Sequence, residues 1–199
     1  WGAGKHHGTF VEWWPNGNVK ERGRYHEGER DGLWIRWFED GVRQSEITWR
    51  SGIRHGASRT FFPEGAVSLS MRYREGRPHG RSVRYFRTGE KKAEISWHRG
   101  RIHGRVRLWY PGGSVRRELD FVRGSRHGSF RAWHENGERW LSGAYRHDRA
   151  HGLWIEWDEQ GVELRRGSYE DGLVVDGVDV LAPGLSEGAV NDEPQPRDR

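Results

Sequence analysis

The stretch that decides the fold is Tyr73-Arg74-Glu75-Gly76-Arg77-Pro78-His79-Gly80, which returns 24 residues later as Trp97-His98-Arg99-Gly100-Arg101-Ile102-His103-Gly104. Working outward, its last glycine recurs at Gly8, Gly32, Gly56, Gly80, Gly104, Gly128 and Gly152, with histidine in front of six of the seven and Asp31 in front of the other. A second row follows nine residues behind, at Gly17, Gly41, Gly65, Gly89, Gly113, Gly137 and Gly161. A third, Gly28, Gly52, Gly76, Gly100, Gly124 and Gly172, is interrupted only at Asp148. Self-similarity at a period of about 20 to 50 residues marks a repeat architecture, in which each unit packs on its neighbours. A unit this short cannot bury a core alone, so stacking has to stabilise it.

Two aromatic rows stand between the glycines: Trp13, Trp37, Phe61, Tyr85, Trp109, Trp133 and Trp157, then Tyr25, Trp49, Tyr73, Trp97, Phe121, Tyr145 and Tyr169. Each unit reads as a β-hairpin, because two short aromatic and β-branched segments are separated by turn signals about every 12 residues. The first pair falls at residues 9–14 and 19–26, joined by Pro15-Asn16-Gly17. Equivalent turns recur at Glu39-Asp40-Gly41, Pro63-Glu64-Gly65 and Glu135-Asn136-Gly137, and these are residues that tolerate positive φ.

The second strand alternates, with Val67, Leu69, Met71 and Tyr73 on one face and Ser68, Ser70, Arg72 and Arg74 on the other. Period two with one apolar face predicts a half-buried antiparallel strand. The first strand has aromatics on both faces: Leu33, Ile35 and Trp37 on one, Trp34 and Phe38 on the other. The expected fold is all-β, an elongated antiparallel β-hairpin repeat array forming a single twisted sheet. Its parts are a partial repeat at 1–7, seven repeats over 8–176, a capping strand within 177–182 using Val178, Val180 and Leu181, and a disordered acidic tail at 183–199.

Bulk properties agree with a thin sheet. Hydrophobic residues make up 33% and charged residues 32%, which is too polar for a large two-layer core. Cysteine is absent, excluding disulfides and thiolate metal sites. No stretch approaches the roughly 18 apolar residues that a membrane-spanning helix requires. Residues 170–199 hold eight acidic and two basic side chains, a net −6, so against the whole-chain +5 the preceding residues carry +11. Trp1 occupies a Tyr25-equivalent position, so the chain is expected to begin inside a repeat, with further repeats upstream. The compartment stays open, with the cytoplasm favoured.

The frame aromatic-x-x-Gly-x-x-His-Gly, seen at Tyr73–Gly80, Trp97–Gly104 and Phe121–Gly128, resembles the core of MORN (membrane occupation and recognition nexus) repeats. His7, Gly8, Trp13, Trp14, Asn16 and Gly17 look more like the bacterial MORN variant, whose members are often labelled antitoxin components. The resemblance extends over residues 1–181 and implies scaffolding, dimerisation or binding to acidic phospholipids. The chain departs from the pattern at Asp31 and Asp148, and in carrying 30 Arg against four Lys.

Equivalent histidines in successive hairpins are two strands apart, about 9.5 Å, too far to share one ion, so no metal and no cofactor is expected. Signatures of phosphate-cradling loops, nucleophile elbows and metalloprotease helices are absent, and no enzymatic activity is expected. The minority face of the first strands offers a candidate binding strip of aromatics and arginines: Trp14, Trp34, Arg36, Phe38, Phe62, Arg84, Phe86, Tyr110, Arg131 and Trp154. An exposed strip of this kind suits a protein partner, and replacing Trp34 and Trp154 by Ala should then weaken binding without unfolding. The alternative is peripheral binding of acidic phospholipid headgroups or another polyanion. Nucleic acid is disfavoured because Arg interleaves with Glu along most strands, and bare terminal strands leave edge-to-edge self-association open.

Overall fold

A computed structural model describes residues 4–181; the acidic tail expected over 183–199 and the start of the partial repeat lie outside the described residues. All regular structure there is β, gathered into one open antiparallel sheet whose strands lie side by side in chain order. It begins with β1 (Gly8–Trp13) and β2 (Val19–His26) and ends with β15 (Glu163–Glu170) and β16 (Leu173–Gly177). One strand is broken: β7 (Arg77–Pro78) pairs with β6 (Val67–Arg74), and β8 (Gly80–Tyr85) then resumes on the same neighbour. Pro78 has no N–H for the ladder. His79 restores the connection by donating its N–H to the Arg72 carbonyl at 2.9 Å.

The turns alternate between two kinds. At the end that includes Glu27 and Gly28, both central residues are left-handed, with φ of 51° and 84°, as a two-residue type I′ hairpin requires. Asp148 takes the glycine place in one unit with φ of 66°. Its carboxylate accepts the Arg126 N–H at 2.7 Å. Burial pushes that carboxyl up, but hydrogen bonds from Arg126 and Ser125 outweigh it and hold the group below the usual carboxylate range.

The repeat histidine serves this turn. His7 Nδ1 accepts the Glu27 N–H and His103 Nδ1 the Arg123 N–H, each at 3.3 Å. Asp31 does the same for Ser51 at 3.4 Å, which accounts for an aspartate in a histidine row: the turn needs an acceptor there, not an imidazole. The glycines that follow this row sit inside the first strands rather than in turns. Gly56 and Gly128, with φ of 91° and 107°, mark bulges where the register slips.

Successive units are stitched at both ends. Gly52, Gly124 and Gly172 donate to the carbonyls of Arg30, Ile102 and Ala150 at 2.8–2.9 Å, each 22 residues earlier. At the opposite end the Trp14 indole, the Tyr110 hydroxyl and the His134 ring reach the carbonyls of Trp37, Trp133 and Trp157, each 23 residues later.

One face of the sheet carries the packed side chains. Ala93, Ile95, Trp97, Val106, Leu108, Leu119, Phe121, Phe130, Leu141, Tyr145, Trp154 and Tyr169 form a continuous buried cluster over its C-terminal half. A bulge near the start of each second strand refines the alternation read from the sequence. Phe61 pairs with Val67 while Thr60 pairs with Leu69, so Val67 belongs to the outer face and Ser68 meets Thr60 on the packed one at 2.8 Å.

The C-terminal cap differs from expectation. The last strand is Leu173–Gly177, not residues 177–182, and the chain beyond it crosses back over the packed face. Val180 is buried there, and a Cβ on Gly167 would lie 2.0 Å from the Val178 carbonyl oxygen, so only glycine admits the crossing. The Tyr169 hydroxyl fastens the segment, donating to Asp179 Oδ1 at 2.7 Å and accepting the Leu181 N–H at 3.0 Å.

Burial first, and the bond to Asp179 second, push the Tyr169 phenol from 10.0 up to about 12. A folded-state value above the unfolded one means that the contribution is complete below pH 10 and lost as pH rises towards 12. Tyr169→Phe should therefore cost about 1–2 kcal/mol at pH 8, and the gap to wild type should narrow through that window. Melts followed by circular dichroism at both ends of the range measure it. A gap that stays constant with pH would count against the bond.

Candidate interaction surfaces

The two tryptophans expected on an exposed strip are the largest fully buried side chains among the described residues. Trp34 is 2% exposed and Trp154 0%. Each ring lies over a glycine on the neighbouring strand: a Cβ at Gly23 would come within 2.2 Å of the Trp34 ring, and one at Gly143 within 2.1 Å of the Trp154 ring. Trp34 also stacks on Phe10 at 5.6 Å, meets Tyr25 edge-on at 4.9 Å and lies beneath the Arg30 guanidinium at 3.9 Å. Trp154 makes the same contacts with Phe130 and Tyr145.

The remaining members of the expected strip do not share one surface. Arg36 pairs across from Ser45 and Arg84 across from Leu69 and Ala93, so both project on the packed face. Arg84 is half-buried there, and desolvation lowers its pKa. Arg131 follows Phe130 by one residue and so points to the outer face. Trp14, Phe38, Phe62, Phe86 and Tyr110 form a half-buried ladder along the Asn-Gly turn end. Cations cover four of its rings: Lys20 over Trp14, Arg87 over Phe62, Lys92 over Phe86 and Arg116 over Tyr110, at 5.1–5.7 Å.

In the first aromatic row Trp13 is open to solvent, while Trp37, Phe61, Tyr85, Trp109, Trp133 and Trp157 are half-buried. Trp13 is 59% exposed at the end of β1, and on β3 Leu33 is 52% exposed, with Ile35 and Trp37 on the same outer face. Further along, that face is covered by cross-strand ion pairs, Arg59–Glu46, Arg81–Glu94, Arg105–Asp120 and Arg107–Glu118. Surface pairs of this kind contribute about 0–1 kcal/mol each and leave a solvated, polar surface. The outer face therefore has an apolar N-terminal end and a polar middle.

The hairpins at that apolar end contain His7-Gly8, Asp31-Gly32 and the turn glycines Gly17 and Gly41 at the repeat spacing. Residues 7–27 and 30–50 match the MORN repeat variant. The matched segments are two consecutive hairpins, and the later units keep the same glycine rows in the same sheet. MORN repeats are non-enzymatic modules that generally mediate protein or membrane-lipid interactions. No curated protein matches the chain. Among the described residues no group of three His, Asp or Glu side chains could hold a metal ion. No helix there is long and apolar enough to cross a membrane.

Proposed function

We propose that this chain is a non-enzymatic scaffold that binds another protein through the apolar end of its outer face, centred on Trp13, Leu33, Ile35 and Trp37. The observation that supports it is the exposure of Trp13 and Leu33 on the outer face of hairpins whose other face is filled by Phe10, Tyr25 and Trp34. Large aromatics exposed on a rigid element are favoured anchors for a partner, because covering them gains apolar burial at little entropic cost. Neutralisation of a partner in the manner of an antitoxin is one version of this function.

The test is capture of partners from native lysate on immobilised chain, washed at low and then high salt, with wild type beside the double variant Trp13→Ser/Leu33→Ser. Both side chains are more than half exposed, so melting should change by less than about 1 kcal/mol. A protein that survives high salt on wild type and is lost from the variant is the expected result. Retention of lipid alone, released as salt rises, would replace this reading with headgroup binding.

A further inference from the structure

The arginines are not spread evenly around the sheet. In the type I′ turn at residues 50–55 and its equivalents at 74–79, 98–103, 122–127 and 146–151, ten arginines face two carboxylates, Glu75 and Asp148, a net +8, with seven histidines among them. The corresponding turns at the two ends, residues 26–31 and 170–175, each sum to −2. The seven turns on the opposite edge, from residues 15–18 to 159–162, hold seven carboxylates and one arginine. The ribbon is polarised across its width, with one long basic edge.

These cations are also unspent. On the faces most arginines meet a glutamate or aspartate, whereas on this edge only Arg126 does so, with Asp148 at 3.4 Å, and Arg54 bonds the Tyr73 hydroxyl. Among the described residues the other eight make no ion pair and no side-chain hydrogen bond. Packing so many like charges side by side costs stability through repulsion, so an external anion is the natural counterpart. Between two of the turns there is already a cleft of about 530 Å³, lined by Arg74, Glu75, Arg77, His79, His98 and Arg99.

We infer that this edge is a docking rail for an extended acidic polypeptide segment, one carboxylate entering between each pair of turns. Three features select that occupant. The turns repeat at about 9.5 Å and an extended chain rises about 3.3 Å per residue, so every third residue meets the same position of the next unit. Sheet twist of about 20–25° per strand makes the edge a helical line, which a flexible chain can follow but a flat bilayer or a rigid second copy can meet only in part. The thirty turn residues include no Trp, Tyr or Phe on which bases could stack, while Ile53 and Val122 stand exposed between the arginines as apolar contacts for side chains. This inference rests on the reading of the chain as a protein-binding array, but uses a different surface from the Trp13 face.

The test is fluorescence anisotropy of a labelled 15-residue Ser/Gly peptide with glutamate at every third position. The probe is compared with a peptide of the same composition whose glutamates are clustered, an oligothymidylate of equal charge, and vesicles containing phosphatidylserine. Wild type should bind the spaced peptide most tightly, with affinity falling as salt rises. The double reversal Arg77→Glu/Arg101→Glu should weaken it about tenfold at unchanged melting temperature, while Arg59→Glu/Arg131→Glu on the outer face should change it less than about threefold. Equal affinity for the clustered peptide, tighter binding of the oligonucleotide or vesicles, or indifference to the edge reversal would each overturn the rail. Loss of the rail with retention of a partner by the Trp13 face would leave the scaffold function standing, and the converse result would remove only that face.

Discussion

Trp154→Ala is expected to destabilise the array by about 3–5 kcal/mol, shifting the thermal midpoint by about 10 °C. The ring is fully buried between Phe130, Tyr145 and Tyr169, and alanine would leave a cavity that the flat backbone of Gly143 cannot collapse to fill. Chemical unfolding followed by far-ultraviolet circular dichroism gives the figure without relying on the removed fluorophore. A loss under about 1 kcal/mol would mean that the ring is not covered as described, and would return Trp154 to the set of surface anchors.

Gly143→Ala should be nearly as damaging in the wild-type chain, at about 2–3 kcal/mol, because its Cβ would lie 2.1 Å from the indole and the ring has nowhere to retreat. The same substitution placed in Trp154→Ala should be neutral or stabilising, since the new methyl enters vacated space and alanine suits a strand better than glycine. The sign of the Gly143 effect therefore depends on residue 154, a coupling of about 2–3 kcal/mol that a double-mutant cycle reads directly. Additive effects would show that ring and glycine do not meet.

That ring and glycine pair also marks the limit of what could be read from the chain. The glycine rows, the hairpin signals and the alternation through Leu69, Met71 and Tyr73 specify the repeat, the antiparallel sheet and the packed face of every second strand. The first strand was ambiguous because Trp34 and Trp37 offer large rings to opposite faces, and hydrophobicity alone does not say which is covered. The deciding signal lies eleven residues away: Gly23 precedes Trp34 and Gly143 precedes Trp154 at that offset, whereas Ile47 and Met71 precede Ser58 and Ser82. A large side chain on one strand is matched by a small one opposite, which is volume complementarity across a strand pair. A single strand's pattern leaves Trp34 and Trp154 on the open face, and only the strand opposite shows them to be covered.

The basic edge escaped for a related reason. Along the chain, arginine and glutamate alternate too evenly to form a run, and only folding the sequence at its period brings Arg50, Arg74, Arg99, Arg123 and Arg146 to one end of the hairpins. The surplus charge is a property of the register, not of any contiguous segment.

The hydrogen bonds from Gly52, Gly124 and Gly172 to the preceding unit, and from Trp14, Tyr110 and His134 to the following one, have a consequence for how such a protein can change in evolution. Every interior unit presents the same turn N–H to the unit before it and the same strand carbonyl to the unit after it, Gly76 on Arg54 and Gly100 on Pro78 included. A duplication of 24 codons therefore inserts a hairpin that both neighbours already fit, and a deletion of the same length rejoins two that fit each other. Length can drift while the local structure stays constant, and whatever is measured out along the edge of the ribbon lengthens or shortens in steps of one unit.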